Sequence, residues 1–280
     1  AVVAALGTCW FVPMRLWAGN APRESPSAAT SHRSAAPIAV RPAPRVGGNC
    51  AIAMLPADLR TAETESLAAV QAALAAGQRG LWTVEFRFEG LRIMPVALRL
   101  LGALTPSHPS IRLLFPDAGA TALAKRDAPE QAAQLSSLGD LMRLQQADGG
   151  SDGVLILVAP TPADYEDVEQ VCAQHRGLLV MVNGRLEDAA VGIGTVARER
   201  RKGFLSGWQS AYALIPTSDG ALRRAYPGDW QLYRRDPDGY RSVASFEQRP
   251  DAEQQAAALE AGGVSRSLQA VDRFIEGLRS

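Results

Sequence analysis

Apolar positions recur along this chain with two different periods, and their alternation outlines an architecture. In LPADLRTAETESLAAVQAALAAG, Leu59, Leu67, Val70 and Leu74 fall near helical spacing, with Asp58 placed as N-cap and Gly77 as stop. LWTVEFRFE sets Trp82, Val84, Phe86 and Phe88 against Thr83, Glu85 and Arg87, which predicts a strand with one wet face. MPVALRLLGAL predicts a short helix that the breaker-rich TPSHPS closes. IRLLFP, GVLILVAP and GLLVMVN are short continuous apolar runs bounded by Gly, Pro and Asp, as in strands covered on both faces. Helical segments ATALAKRD, SLGDLMRLQQA and ADYEDVEQVCAQHR separate them.

Apolar strands alternating with helices predict an α/β fold, a mostly parallel Rossmann-like sheet flanked by helices. After about Trp208 the pattern changes to WQSAYALIP, ALRRAYP, WQLYRRD and YRSVASFEQ, joined by the turn sequences TSDG, PGD and DPDG. That is an antiparallel meander, which either extends the same sheet or forms a small subdomain. A terminal helix is expected in VSRSLQAVDRFIEGLRS, where Val264, Leu268, Val271, Ile275 and Leu278 form a narrow apolar stripe. The stripe either packs back on the domain or docks on a partner, so Leu268, Val271 and Ile275 are candidate partner contacts.

Residues 1–54 have a different composition. AVVAALGTCWFVP has the length of a signal-peptide hydrophobic region and is too short for a bilayer span. The Ser-, Ala-, Pro- and Arg-rich stretch after it has Glu24 as the only acidic residue before Asp58, the composition of an organellar transit peptide. The chain therefore divides into a targeting presequence or disordered segment over 1–54, an α/β domain over 55–250 and a helical tail over 251–280.

Composition adds bounds rather than a function. At 47% hydrophobic and 21% charged the chain can bury a substantial core, and 29 basic residues balance 29 acidic ones, so the overall charge implies neither nucleic acid nor an anionic membrane. No stretch reaches the roughly 18 apolar residues of a transmembrane span. Cys9, Cys50 and Cys172 lack metal-ligand spacing, and Cys172 reads as a structural thiol. No cofactor is expected.

Two stretches invite a chemical reading. In RLLFPDAGATALAKRD a strand passes through Pro-Asp-Ala-Gly into a helix, which offers free backbone N–H groups to an anion. Asp117 suits the N-cap better, because a carboxylate there repels phosphate. In VNGRLEDAAVGIGTVARERRKGF, flexible glycines lead from Asn183 into a basic helix. Asp117, Gly119, Asn183, Gly192, Gly194 and Arg198 are thus candidate ligand positions, and Arg200, Arg201 and Lys202 candidate partner contacts. His32, His108 and His175 are not placed in the sequence to activate a nucleophile; His175 reads as a helix C-terminal residue. Glu187 and Asp188 are adjacent, whereas a paired-carboxylate mechanism needs facing groups. Tyr212, Tyr226, Trp230 and Tyr233 alternate with arginines in the manner of a stacking surface, but sheet packing explains them as well.

Taken together, LPADLRTAETESLAAVQAALAAG, LRIMPVAL, LLFPDAGATALAKRD, LILVAPTPADYEDVEQVC, LVMVNGRLED, VGIGTVARERRKGFLSGWQSAYALIP and RRAYPGDWQLYRRDPDGYRSVASFEQRP resemble the domain of unknown function 1995 family of cyanobacteria and plastids, over roughly residues 55–250. Phe-Pro-Asp-Ala-Gly and the Tyr226-Pro227-x-x-Trp230 segment are the most specific parts. The family usually has Asn-Pro where this chain has Asn183-Gly184. The resemblance implies a protein of the plastid stroma. It points to the Low Photosystem II Accumulation type, factors that assist assembly of a chlorophyll-binding subunit into photosystem II. It carries over no catalytic residue. The expectation is a non-enzymatic accessory factor that binds a photosystem subunit or assembly factor, with possible thylakoid surface association and no nucleic acid. The alternatives are a nucleotide- or phosphometabolite-binding enzyme and a structural subunit bound to a photosystem.

Overall fold

The computed structural model describes residues 40–42, 54–77, 80–190 and 194–261. Ten strands form one mixed sheet: β1 (Val40–Pro42), β2 (Leu81–Phe86), β3 (Ile111–Phe115), β4 (Leu135–Ser137), β5 (Val154–Val158), β6 (Leu178–Val182), β7 (Trp208–Thr217), β8 (Gly220–Ala225), β9 (Trp230–Asp236) and β10 (Gly239–Phe246). Their spatial order is β1-β10-β9-β8-β7-β2-β6-β5-β3-β4. Pairings from β7 through β4 are parallel, and those from β7 back to β1 are antiparallel. The meander therefore extends the parallel sheet.

Seven α-helices accompany it among the described residues: α1 (Leu59–Ala76), α2 (Ile93–Leu104), α3 (Ala118–Asp127), α4 (Leu138–Asp148), α5 (Tyr165–Gln174), α6 (Thr195–Lys202) and α7 (residues 252–261). Asp58 caps α1 by accepting the Thr61 N–H at 2.8 Å. Ser137 and Asp140 form a reciprocal capping box at α4, which Gly149 ends in the left-handed region.

The period of two in the strands distributes the core. Val84, Leu113, Ile156, Val180 and Val182 point to the side of α1, α2 and α3, whereas Leu114, Leu155, Leu157, Leu179 and Met181 point to α4 and α5. Both sides are covered, which is why these strands read as unbroken apolar runs; each fully buried Val or Leu stabilises the fold by about 1.5–3 kcal/mol. A third cluster joins Ala213, Leu222, Trp230, Leu232 and Phe246 to Ala258 of α7. Tyr226 of the Tyr-Pro-x-x-Trp segment packs edge-on against Trp82 with ring centroids 4.9 Å apart. Tyr212, Trp230 and Tyr233 are buried, so these aromatics serve packing rather than an exposed stacking surface. Cys172 packs against the α4–α5 side, and burial, followed by the nearby Glu169, pushes its thiol up to about 12.

Two expectations change. The strand β2 has no wet face: Thr83 and Glu85 are buried, because β2 lies between β6 and β7 in the middle of the sheet. The short edge strand β4 precedes α4 where the sequence pattern predicts no strand. At the edge of the sheet, Val40–Pro42 pairs with Phe246–Ala244 of β10. The expected terminal helix is present as α7, which begins twelve residues before Val264, and the stripe residues Leu268, Val271 and Ile275 lie outside the described residues.

Candidate binding site at the strand ends

The C-terminal ends of β2 and β6 lie side by side, and the chain leaves them in opposite directions. From β2 it passes to α2 on the α1 side; from β6 it passes through the short 3-10 helix Leu186–Ala190 on the other side. Such a parting of connections is where open α/β sheets bind ligands. Here Asn183 adopts φ 51 directly after β6. Its Oδ1 accepts the Phe86 N–H at 2.6 Å and its Nδ2 donates to the Phe86 carbonyl at 2.8 Å, so its carboxamide extends the pairing of β2 by one position. Ala159, after the neighbouring β5, is also left-handed at φ 46 and donates its N–H to Val182. Left-handed backbone costs an alanine such as Ala159 roughly 1–2 kcal/mol, which surrounding structure must hold, whereas Asn adopts it at lower cost. Gly184 stands where the resemblance expects Pro; a Cβ there would collide with the Met181 thioether.

On the side of the Leu186–Ala190 helix the site is polar. The carboxylate of Glu85 accepts from Arg87 Nε at 3.2 Å and from Arg249 at 3.0 Å, and Arg87 also donates to the Gly184 carbonyl at 2.9 Å. Arg249 lies over the Trp230 ring at 5.5 Å. Glu187 is exposed as a residue, yet desolvation of its carboxyl, and then repulsion from Glu85, raise that group above the ordinary range against the opposing pull of Arg249 and Arg87. The carboxylate whose repulsion acts on Glu187 is Glu85.

On the α1 side the site is apolar. A cleft of about 660 Å³ is lined by Met54, Leu55, Pro56, Ala57, Asp58, Leu59, Phe88, Glu89, Gly90, Leu91, Leu214, Pro216, Ala221 and Tyr240. Its floor follows from strand lengths: β2 ends at Phe86 opposite Leu214, while β7 runs on through Pro216. Gly90, at φ 72, turns the chain after β2 so that Phe88 and Leu91 form one wall. Among the described residues five large apolar side chains are exposed, and three of them, Met54 (77%), Phe88 (37%) and Tyr240 (52%), line this cleft. Among the described residues its charged lining is Asp58 and Glu89.

The sequence candidates are spread more widely. Asp117 caps α3, accepting the Ala120 N–H at 2.8 Å, and Gly119 leaves room for that carboxylate, since a Cβ would come within 3.0 Å of it. Asp117 follows β3 and Asn183 follows β6, with β5 between those strands, so the two are not neighbours. Gly194 is the N-cap of α6, and Gly192 lies outside the described residues. Arg198 and Lys202 are exposed. Arg200 turns inward, donating to the Ala189 carbonyl at 3.1 Å, pairing with Glu166 at 3.3 Å and stacking on Tyr165 at 4.4 Å. Arg201 belongs to α6, and its side chain lies outside the described residues.

One pair escapes sequence reading altogether. At the opposite end of the strands, Ser151 Oγ lies 2.9 Å from His175 Nδ1 and accepts from Gln145 Nε2 at 2.8 Å. His175 stands at the C-terminus of α5, as expected, and is buried there. The backbone N–H groups of Gly150, Ser151 and Arg176 are all bonded to carbonyls, which leaves this loop without oxyanion donors from those three. Among the described residues no group of His, Cys, Asp and Glu could hold a metal ion, and no helix is long and apolar enough to cross a membrane.

A family model described as Domain of unknown function (DUF1995) matches residues 56–257, which takes in every parallel strand and the start of α7. No curated protein matches the chain.

Proposed function

Because the chain belongs to the domain of unknown function 1995 family, we propose that it is a non-enzymatic accessory factor of the plastid stroma that holds an apolar polypeptide segment of a photosystem subunit during assembly at the thylakoid. One observation carries this reading: three of the five exposed large apolar side chains gather on the cleft beside the end of β2. Contiguous exposed apolar surface of this kind marks interaction sites. The transit-like composition of the segment before Asp58 supports the plastid assignment. A phosphometabolite has less support, because the charged residues lining the cleft are both carboxylates and would repel it.

The test is affinity isolation of the tagged protein from plastids, with mass spectrometry of what accompanies it, beside a Phe88→Ser, Tyr240→Ser double variant. Photosystem subunits should accompany the parent protein and be depleted from the variant while its melting temperature is retained. Equal recovery by both proteins would remove the cleft from the proposal, and recovery of neither subunits nor assembly factors would remove the function.

A further inference from the structure

We propose that the cleft selects apolar polypeptide segments that carry a basic residue at their end, and this rests on the reading of the cleft as a polypeptide site. The body of the cleft is apolar, formed by Phe88, Leu91, Leu214 and Tyr240, whereas its charged lining is Asp58 and Glu89, both exposed. Asp58 is held ionised by the Thr61 N–H it accepts, which keeps its carboxyl below the ordinary range. Its charge is partly offset by the positive end of α1, so Glu89 contributes the larger share of the field. Among the described residues the neighbouring cations stay off the cleft lining: Arg87 is bonded to Glu85 and to the Gly184 carbonyl, Arg99 is taken by Glu63 at 2.6 and 2.8 Å, and Arg60, which attracts the Asp58 carboxylate, lies outside the lining, as does Arg92. A Lys or Arg that follows an apolar run would therefore meet Glu89 once the run is seated, and an acidic end would meet repulsion. A cleft of about 660 Å³ accommodates a few side chains rather than a whole helix, so recognition falls on a short stretch and the charge next to it.

The experiment measures fluorescence anisotropy of labelled synthetic peptides that share one Leu-rich core and end in Lys, Ser or Glu, titrated with the full chain. Exposed pairs contribute little each, so the Lys-ended peptide should bind roughly three- to tenfold more tightly than the Glu-ended one, and the ratio should shrink as salt is raised. Glu89→Lys should reverse the order, and Phe88→Ser should weaken all three peptides. Equal affinity for the three ends, with Phe88→Ser still weakening them, would overturn the charge selection and leave the polypeptide site standing. Binding of an uncharged alkyl detergent with no binding of any peptide would overturn both.

Discussion

Asn183 and Phe86 are joined at both ends of one carboxamide, by bonds of 2.6 and 2.8 Å, so a side chain after β6 does the work of a backbone strand for the last residue of β2. Phe86 is buried, and without Asn183 its N–H and carbonyl would lose these partners. Replacing Asn183 by Ala removes both bonds and also places a methyl side chain at φ 51. The expected loss is about 3 kcal/mol in urea unfolding, from roughly 1 kcal/mol per bond plus about 1–2 kcal/mol for the left-handed backbone. Asn183→Gly removes the bonds and keeps the backbone at ease, so it should retain about 1 kcal/mol more than Ala. Equal losses for Ala and Gly would mean that the backbone carries no strain at this position.

Asp117 offers a sharper choice between cap and ligand. As a cap, Asp117→Asn should change stability by only a few tenths of a kcal/mol, and Asp117→Ala should cost about 1 kcal/mol, because Asn still accepts the Ala120 N–H. Inorganic phosphate should leave the melting temperature of both the parent and the Asn variant unchanged. A phosphate-dependent rise in the Asn variant would show that the carboxylate had been screening an anion site at the start of α3.

These two residues also mark how far the sequence could be read. The cap at Asp117 was legible because its partner is three residues away, and the unbroken apolar runs at β3, β5 and β6 identified strands covered on both sides. The burial of Glu85 was not legible: its alternation with Val84 and Phe86 is what a half-wet strand shows, and the Arg249 that makes burial tolerable is 164 residues away. The Ser151–His175 pair spans 24 residues and has no spacing that distinguishes it from chance. The apolar cleft is assembled from the segment before α1, the turn after β2, β7, β8 and Tyr240, so no single stretch announces it. Arg200, chosen for its place in a basic run, is spent on Tyr165 and Glu166.

Glu187 gives the polar side of the site a pH dependence with a definite sign. Its folded-state carboxyl is raised by desolvation and by Glu85, so the folded protein holds that proton more tightly than the unfolded chain does. The favourable contribution is complete below the ordinary glutamate range and is lost as pH rises through the raised value. Glu187→Gln cannot ionise, so it should flatten the fall in melting temperature across that rising-pH window and be at least as stable as the parent at neutral pH. A variant that keeps the parent's slope would show that other carboxylates set it.

The Ser151–His175 contact predicts a structural cost and no nucleophile. Ser151 Oγ accepts from Gln145 at 2.8 Å and shares a hydrogen bond with His175 Nδ1 at 2.9 Å, which ties the end of α4 to the junction of α5 and β6. Ser151→Ala removes one hydrogen bond each from Gln145 and His175, both buried, so the loss should be about 1–3 kcal/mol. The hydroxyl sits on a loop whose amides at Gly150, Ser151 and Arg176 are already bonded to carbonyls, so an oxyanion formed there would meet none of those three donors. A fluorophosphonate probe should accordingly leave Ser151 unmodified in the folded protein, as read by peptide mass spectrometry. Labelling of Ser151 that disappears with His175→Ala would instead make the pair an activated nucleophile, and the accessory-factor reading would then have to give way to a hydrolytic one.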